Sequence, residues 1–314
     1  MHTCRSSVAA VALLGALQGA CATARPTRSP KEDPPPQQAQ EDGTRVDLCR
    51  GSQPIPADIE SNIRDSEETG RELFRLDQVG WIATDVFREH ADFGEKQVGG
   101  WLALRAGRED GTPAGGYIAE FFSRAEPYHL IATVTVPAER GVKPGFQLHE
   151  PPTPLPASAI PIVRARQNAI RYVREQGGLA GTVNPVVIPA ARGKGVLVYL
   201  LAGTDKREVV FGRHHLVRMS EDGTQVVHHE PLSRTHLRIP LPETVGPDPC
   251  SSMMIVNHVV SDWPLETHVF LSLEHAPLLI LVMTERGLWR VERGKIAFVT
   301  AEIPEELRPP EPGK

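Results

Sequence analysis

Two pairs of adjacent histidines, His214-His215 and His228-His229, flank a short polar turn, and Glu230 follows the second pair directly. Imidazole nitrogens with a carboxylate make a donor set for a divalent metal such as zinc. The turn is Glu221-Asp222-Gly223. If Asp222-Gly223 forms a two-residue hairpin turn, Glu221 faces Thr224. Counting outward, His215 then faces Glu230 and Val217 faces His228. His215, His228 and Glu230 would project from one face of adjacent strands, with His214 and His229 on the other. A structural reading competes with this one. His215 shares its face with Val217 and Met219, as a residue at the edge of a core would, and His228-His229-Glu230 reads equally as a solvated strand end. One bulge would change every facing. No residue is assigned a catalytic role.

Other catalytic patterns are missing or broken. The chain holds no G-x-S-x-G elbow and no H-E-x-x-H zinc helix. Arg192-Gly193-Lys194-Gly195 begins like a phosphate loop but lacks the earlier glycine and the hydroxyl after lysine, so it reads as a hairpin turn. The net charge of −5, with four Tyr, four Trp and no basic stripe, argues against nucleic acid as a partner.

The elements that would position these residues are helices and antiparallel strands. From Ser66 to about His90, Leu73, Leu76, Gly80, Ala83 and Phe87 recur at three- and four-residue steps, the face of an amphipathic helix. Strand-like runs follow at 100–106, 116–123 and 129–136, the last alternating Leu130, Ala132, Val134 and Val136 against Ile131, Thr133 and Thr135. Pro144, Pro151, Pro152, Pro154 and Pro156 mark residues 138–157 as a linker without regular structure. A second helix over 157–176 ends at Gly177-Gly178. A strand at 183–189 precedes the meander of 196–202, 209–219 and 226–230. A second meander comprises 253–260, 267–273, 278–284, 288–292 and 296–300.

The fold class is therefore α+β, antiparallel meanders packed with two main helices. Residues 57–137 and 158–302 each run helix then strands, either as two related helix-plus-sheet layers or as one sheet with two covering helices. Residues 303–314 form a polar tail.

The first 24 residues read as an export signal, with Arg5 before the apolar run Val8–Leu17 and small residues at Gly19, Ala20, Ala22 and Ala24. That run is too short to span a bilayer core of about 30 Å. Leu17-Gln18-Gly19-Ala20-Cys21 resembles a bacterial lipobox, which implies a lipid on Cys21 and a membrane anchor; cleavage after Ala22 or Ala24 is the alternative. Residues 25–56, rich in Pro and Gln, form a solvated tether. Cys49 and Cys250 are the cysteines left after signal removal, and an oxidising compartment favours their pairing as a disulfide over two free thiols.

Residues Leu216 to Val227 resemble the strand–turn–strand ending of PepSY-like and cystatin-like secreted domains, which implies a helix packed on a small antiparallel sheet. Val186-Val187-Ile188-Pro189, Val198-Tyr199-Leu200-Leu201 and Phe211-Gly212-Arg213-His214 resemble a group of uncharacterised exported bacterial proteins, which implies no activity. The expectation is a periplasmic or outer-membrane cell-envelope protein. It would be a non-enzymatic binding or structural module meeting another envelope protein. A metal-binding protein or metal-dependent enzyme using His215, His228 and Glu230, and an inhibitor or immunity-type protein, are the alternatives.

Overall fold

A long helix, α1 (Glu60–His90), buries one apolar side against its neighbours and turns most of its charged residues outward. Ile63, Leu73, Leu76, Val79, Ala83 and Phe87 are buried at helical spacing. The helix begins six residues earlier than Ser66, directly after Pro56 and the turn that ends at Ile59. In this computed structural model the described residues are 47–107, 115–139, 141–179, 181–189, 195–203, 207–241 and 249–308. The export signal, Cys21, most of the tether and the loop at 190–194 lie outside them.

The first sheet runs in the order β1 (Val98–Arg105), β2 (Tyr117–Ser123), β3 (His129–Val136) and β4 (Gly145–Pro154), all antiparallel. The expected proline linker is thus a strand. Pro151, Pro152 and Pro154 are tolerated because β4 is an edge strand, whose outward backbone positions need no donor. A register shift opposite Leu130 and Ala132 accommodates the same stretch. The second helix, α2 (Ile160–Glu175), follows directly.

A second sheet has the order β5 (Val183–Pro189), β6 (Val196–Ala202), β8 (His215–Met219), β9 (Val226–Pro231), again antiparallel. The run expected as one strand, 209–219, is broken. Its first part, β7 (Glu208–Phe211), leaves the sheet and pairs with β10 (Leu237–Pro240). The break falls at Gly212 and Arg213, with φ of 110° and 55°. A side chain at Gly212 would meet Thr235 O at 2.0 Å, so only glycine fits the bend.

The third sheet has the order β11 (Met253–Asn257), β12 (Leu279–Thr284), β13 (Gly287–Glu292), β14 (Lys295–Thr300). Here the expected strand over 267–273 is a helix, α3 (Glu266–Glu274). Val269, Phe270 and Leu271 are all buried, so no polar face betrays a helical period. The pairing explains the need for it: β11 and β12 are parallel, and parallel neighbours require a crossover rather than a tight turn.

Three apolar clusters hold these layers together. The largest joins α1 and α3 to the three four-stranded sheets and to the β7–β10 pair, and includes Phe87, Phe121, Leu201, Ile280 and Trp289. A side chain at Gly70 would sit 2.5 Å from Val269 Cβ, so the missing Cβ is what lets α1 cross α3 closely. A second cluster packs α2 on β5, β6 and β8 and reaches Leu102 and Phe122. The third covers the outer face of the last sheet with Leu48, Ile303 and Leu307. Residues 47–56 are therefore docked rather than solvated. Cys49 and Cys250 lie within disulfide distance, their Cα atoms 5.7 Å apart, Arg290 donates to Cys49 O at 2.6 Å, and Gln53 bridges to Phe298.

Candidate functional site

The histidine hairpin forms, but one residue out of the expected register. His215 pairs with Pro231, Leu216 with Glu230, Val217 with His229 and Arg218 with His228. An irregularity between Arg218 and Met219 inserts the extra residue. His215 therefore shares its face with His229, while His228 and Glu230 turn to the opposite face. There the two lie 3.8 Å apart, both well exposed. The expected trio is split by the bulge.

His215 and His229 form a hydrogen-bonded pair of their own, Nδ1 to Nε2 at 3.1 Å. His215 Nε2 donates to Gly178 O at 3.2 Å, which leaves Nδ1 as the acceptor and makes His229 the donor. Burial lowers the pKa of both rings, and Tyr172 packs edge-on against His229. Each nitrogen between the rings is occupied by the other. Among the described residues, no group of three or more His, Cys, Asp or Glu side chains is placed to hold a metal.

Three other histidines meet in the interior. His214 accepts from Ala202 N–H at Nδ1 and donates from Nε2 to Val210 O, so both its nitrogens are used by the backbone. His258 and His268 pack edge to face at 4.7 Å. His258 donates to Ser261 Oγ, which in turn donates to Trp263 O. All three line a cavity of about 30 Å³, room for a water molecule. Desolvation holds His214 and His258 down to about 4 and His268 well below its ordinary value. These neutral rings are fixed parts of the core.

A different place offers room. A cleft of about 730 Å³ opens between the first half of α1, the start of α2 and the strands β1 and β5. Leu76, Ala103, Leu104, Ile162, Val187, Ile188 and Pro189 give it an apolar lining, and Glu68, Arg71, Glu72, Arg75 and Arg105 give it a charged rim. That volume lies within the range of small-molecule and peptide sites.

The rim is built on α1. Arg105 donates to both oxygens of Glu72 from the Nε and Nη2 of one guanidinium edge, with Nε at 2.7 Å, and Arg75 approaches the same carboxylate at 3.5 Å. One carboxylate therefore serves two guanidinium groups, which are 63% and 51% exposed. Glu67, five residues earlier, is likewise shared by Arg71 and Lys295 and accepts from Ile296 N–H. It ties α1 to β14, and these contacts outweigh burial to lower its pKa. Arg71 is further held by Gly294 O at 2.8 Å. Arg75 and Arg105 are thus the rim cations left to address a ligand.

No family model and no curated protein matches this chain. The site rests on its own geometry.

Sequence reasoning missed this cleft. The alternating Glu68, Arg71, Glu72 and Arg75 at three- and four-residue spacing is a legible signal for a charged helix face. Nothing in the sequence places Arg105, or the edge of β5, against that face. The interior carboxyl of Asp77 was missed as well. It is 1% exposed, and neither oxygen has a hydrogen-bond partner of good geometry, although Asn184 and Trp81 stand near enough to oppose part of the effect of burial. Desolvation pushes it up to about 6.

Proposed function

We propose that this chain is an exported cell-envelope protein that acts as a binding module, and that the cleft between α1, α2, β1 and β5 is where it binds. The observation that carries the reading is the cleft itself: an apolar floor beneath two half-exposed guanidinium groups that share one carboxylate. That combination suits a ligand with an apolar body and an acidic group. Thr69 is the one hydroxyl among the residues lining it, which favours binding over nucleophilic chemistry. Export is supported by the N-terminal signal pattern and by the pairing distance of Cys49 and Cys250. No helix among the described residues is long and apolar enough to cross a membrane. A lipid on Cys21 would add a membrane anchor to the same module.

Titration with the anionic apolar dye anilinonaphthalene sulfonate at pH 7 tests the cleft. Saturable binding to one site is expected, and Ile188→Trp, which fills the floor, is expected to abolish it without lowering the melting temperature. Absence of binding, or binding that Ile188→Trp leaves intact, would remove the cleft as the site.

A further inference from the structure

The lining of the cleft is divided rather than mixed. Its hydrogen-bonding side chains, Glu68, Thr69, Arg71, Glu72, Arg75 and Arg105, all come from α1 or from the last residue of β1. The opposite side, Ile162 of α2 with Val187, Ile188 and Pro189 of β5, presents apolar side chains only. A ligand with polar groups spread along its body would bury some of them against that side without side-chain partners, which is costly. A ligand that matches the lining carries its polar group at one end.

The sheet edges do not supply the missing partners. Ala103 is 3% exposed and Val187 2% exposed, and both belong to the core clusters, so the two edges are closed there. Ile188 spends its N–H and C=O on β6, because Gly203 N–H donates to Thr182 O and the antiparallel ladder alternates from that pair. What a ligand body can touch is side-chain hydrocarbon: Leu104, Ile162, Ile188 and Pro189 line the cleft and none of the four is sealed in the core.

Charge sets the sign of the polar end. The lining holds three arginines against two glutamates, and adding Glu67 and Lys295, which share contacts with Arg71, leaves the same excess of one positive charge. Arg71 is committed to Glu67 and Gly294 O. The excess therefore rests with Arg75 and Arg105, which have one carboxylate, Glu72, between them.

Resting on the reading of the cleft as a binding site, we propose that its ligand is a single-chain amphiphile with one acidic headgroup, of the fatty-acid class, taken up as a free monomer. The hydrocarbon chain lies on Leu104, Ile162, Ile188 and Pro189, and the carboxylate completes the ion-pair set of Arg75 and Arg105. A cleft of about 730 Å³ is of the size that encloses a drug-sized molecule, and a chain of about ten to twelve carbons is of that size.

The experiment is calorimetric titration of the full chain at pH 7 with octanoate, decanoate and dodecanoate. Its controls are dodecanol, dodecyltrimethylammonium and vesicles of phosphatidylglycerol. Each two-carbon extension is expected to tighten binding about tenfold, as burial of two methylenes implies. Dodecanol is expected to bind about tenfold more weakly than dodecanoate, for want of one charge-assisted contact, and the ammonium more weakly still. Glu72→Gln removes the competing carboxylate and is expected to tighten dodecanoate, whereas Arg105→Gln is expected to weaken it towards dodecanol.

Equal affinity for the three acids would overturn the hydrocarbon body, and with anilinonaphthalene sulfonate still bound it would leave the cleft standing as a site. Dodecanol that binds as tightly as dodecanoate, or Glu72→Gln that weakens the acid, would overturn the headgroup. Preference for the vesicles over free dodecanoate would overturn uptake of a monomer. Dodecanoate binding that survives Ile188→Trp would refute the cleft itself.

Discussion

The molecule gathers ionisable side chains in two places with opposite consequences. In the interior, His214, His258 and His268 surround a cavity the size of one water, and Asp77 is sealed on the buried side of α1. At the cleft, Glu72, Arg75 and Arg105 stand at the surface around a space large enough for a ligand. The interior groups are strongly perturbed and committed: each proton position is set by backbone partners or by desolvation. The rim groups can exchange partners at little cost, because water screens them. Perturbed titration is often taken to mark function. Here the most perturbed groups are the ones without room to act.

The largest expected difference between the two regions is in acid. His214 and His258 take up protons near 4 in the folded protein, and burial holds His268 well below its ordinary value, whereas an unfolded histidine does so near 6.5. The unfolded chain therefore binds more protons between those values, and stability falls as pH drops from about 6.5 to 4. His214 and His258 alone each account for roughly 3 kcal/mol by pH 4. Asp77, raised to about 6, Glu274, raised to about 7, and Glu266, also raised by burial, work in the opposite direction, while His215, His229, His236 and His275, all lowered by burial, add to the loss. Denaturant unfolding followed from pH 7.5 to 4.5 is expected to show a steep loss, and a flat profile would mean that the histidines are not sealed.

The next effect isolates Asp77. Its ionised form is held at a cost above pH 6, and protonation recovers the stability below that value. Asp77→Asn is expected to raise stability at pH 7 by up to about 3 kcal/mol and to give no gain at pH 4. A loss at pH 7 would mean that the charge is compensated inside.

The smallest effect belongs to the rim. Arg105→Ala is expected to cost under about 1 kcal/mol of stability, since its guanidinium is 63% exposed. Thermal melts at pH 5 and pH 8 should show the same small change. A loss of several kcal/mol would make the rim part of the scaffold and erase the contrast with the interior.

Much of the framework was legible. The alternation of 129–136, the continuous apolar run of 196–202 and the helical spacing around Leu73 and Phe87 are local consequences of burial, and those elements stand where expected. Three errors share a cause. The proline-rich stretch became β4 because it lies at a sheet edge, 267–273 became α3 because it links parallel strands, and the His215 trio dissolved because one residue bulged. Each depends on how one element pairs with another, which the pattern within the segment itself does not show.

Residue order by itself determined that the chain is α+β, that its strands pair largely with their sequence neighbours, and that Cys49 and Cys250 are the pair to consider. Period and composition are local properties, and hydrophobic burial reads them directly. Tertiary structure alone decided that His229 rather than His228 meets His215, that Asp77 is sealed, and that Arg105 from β1 shares Glu72 with Arg75. A one-residue shift inverts a strand's faces, and a cleft exists only where edges of different sheets are held side by side by a common helix. No window along the chain contains that information.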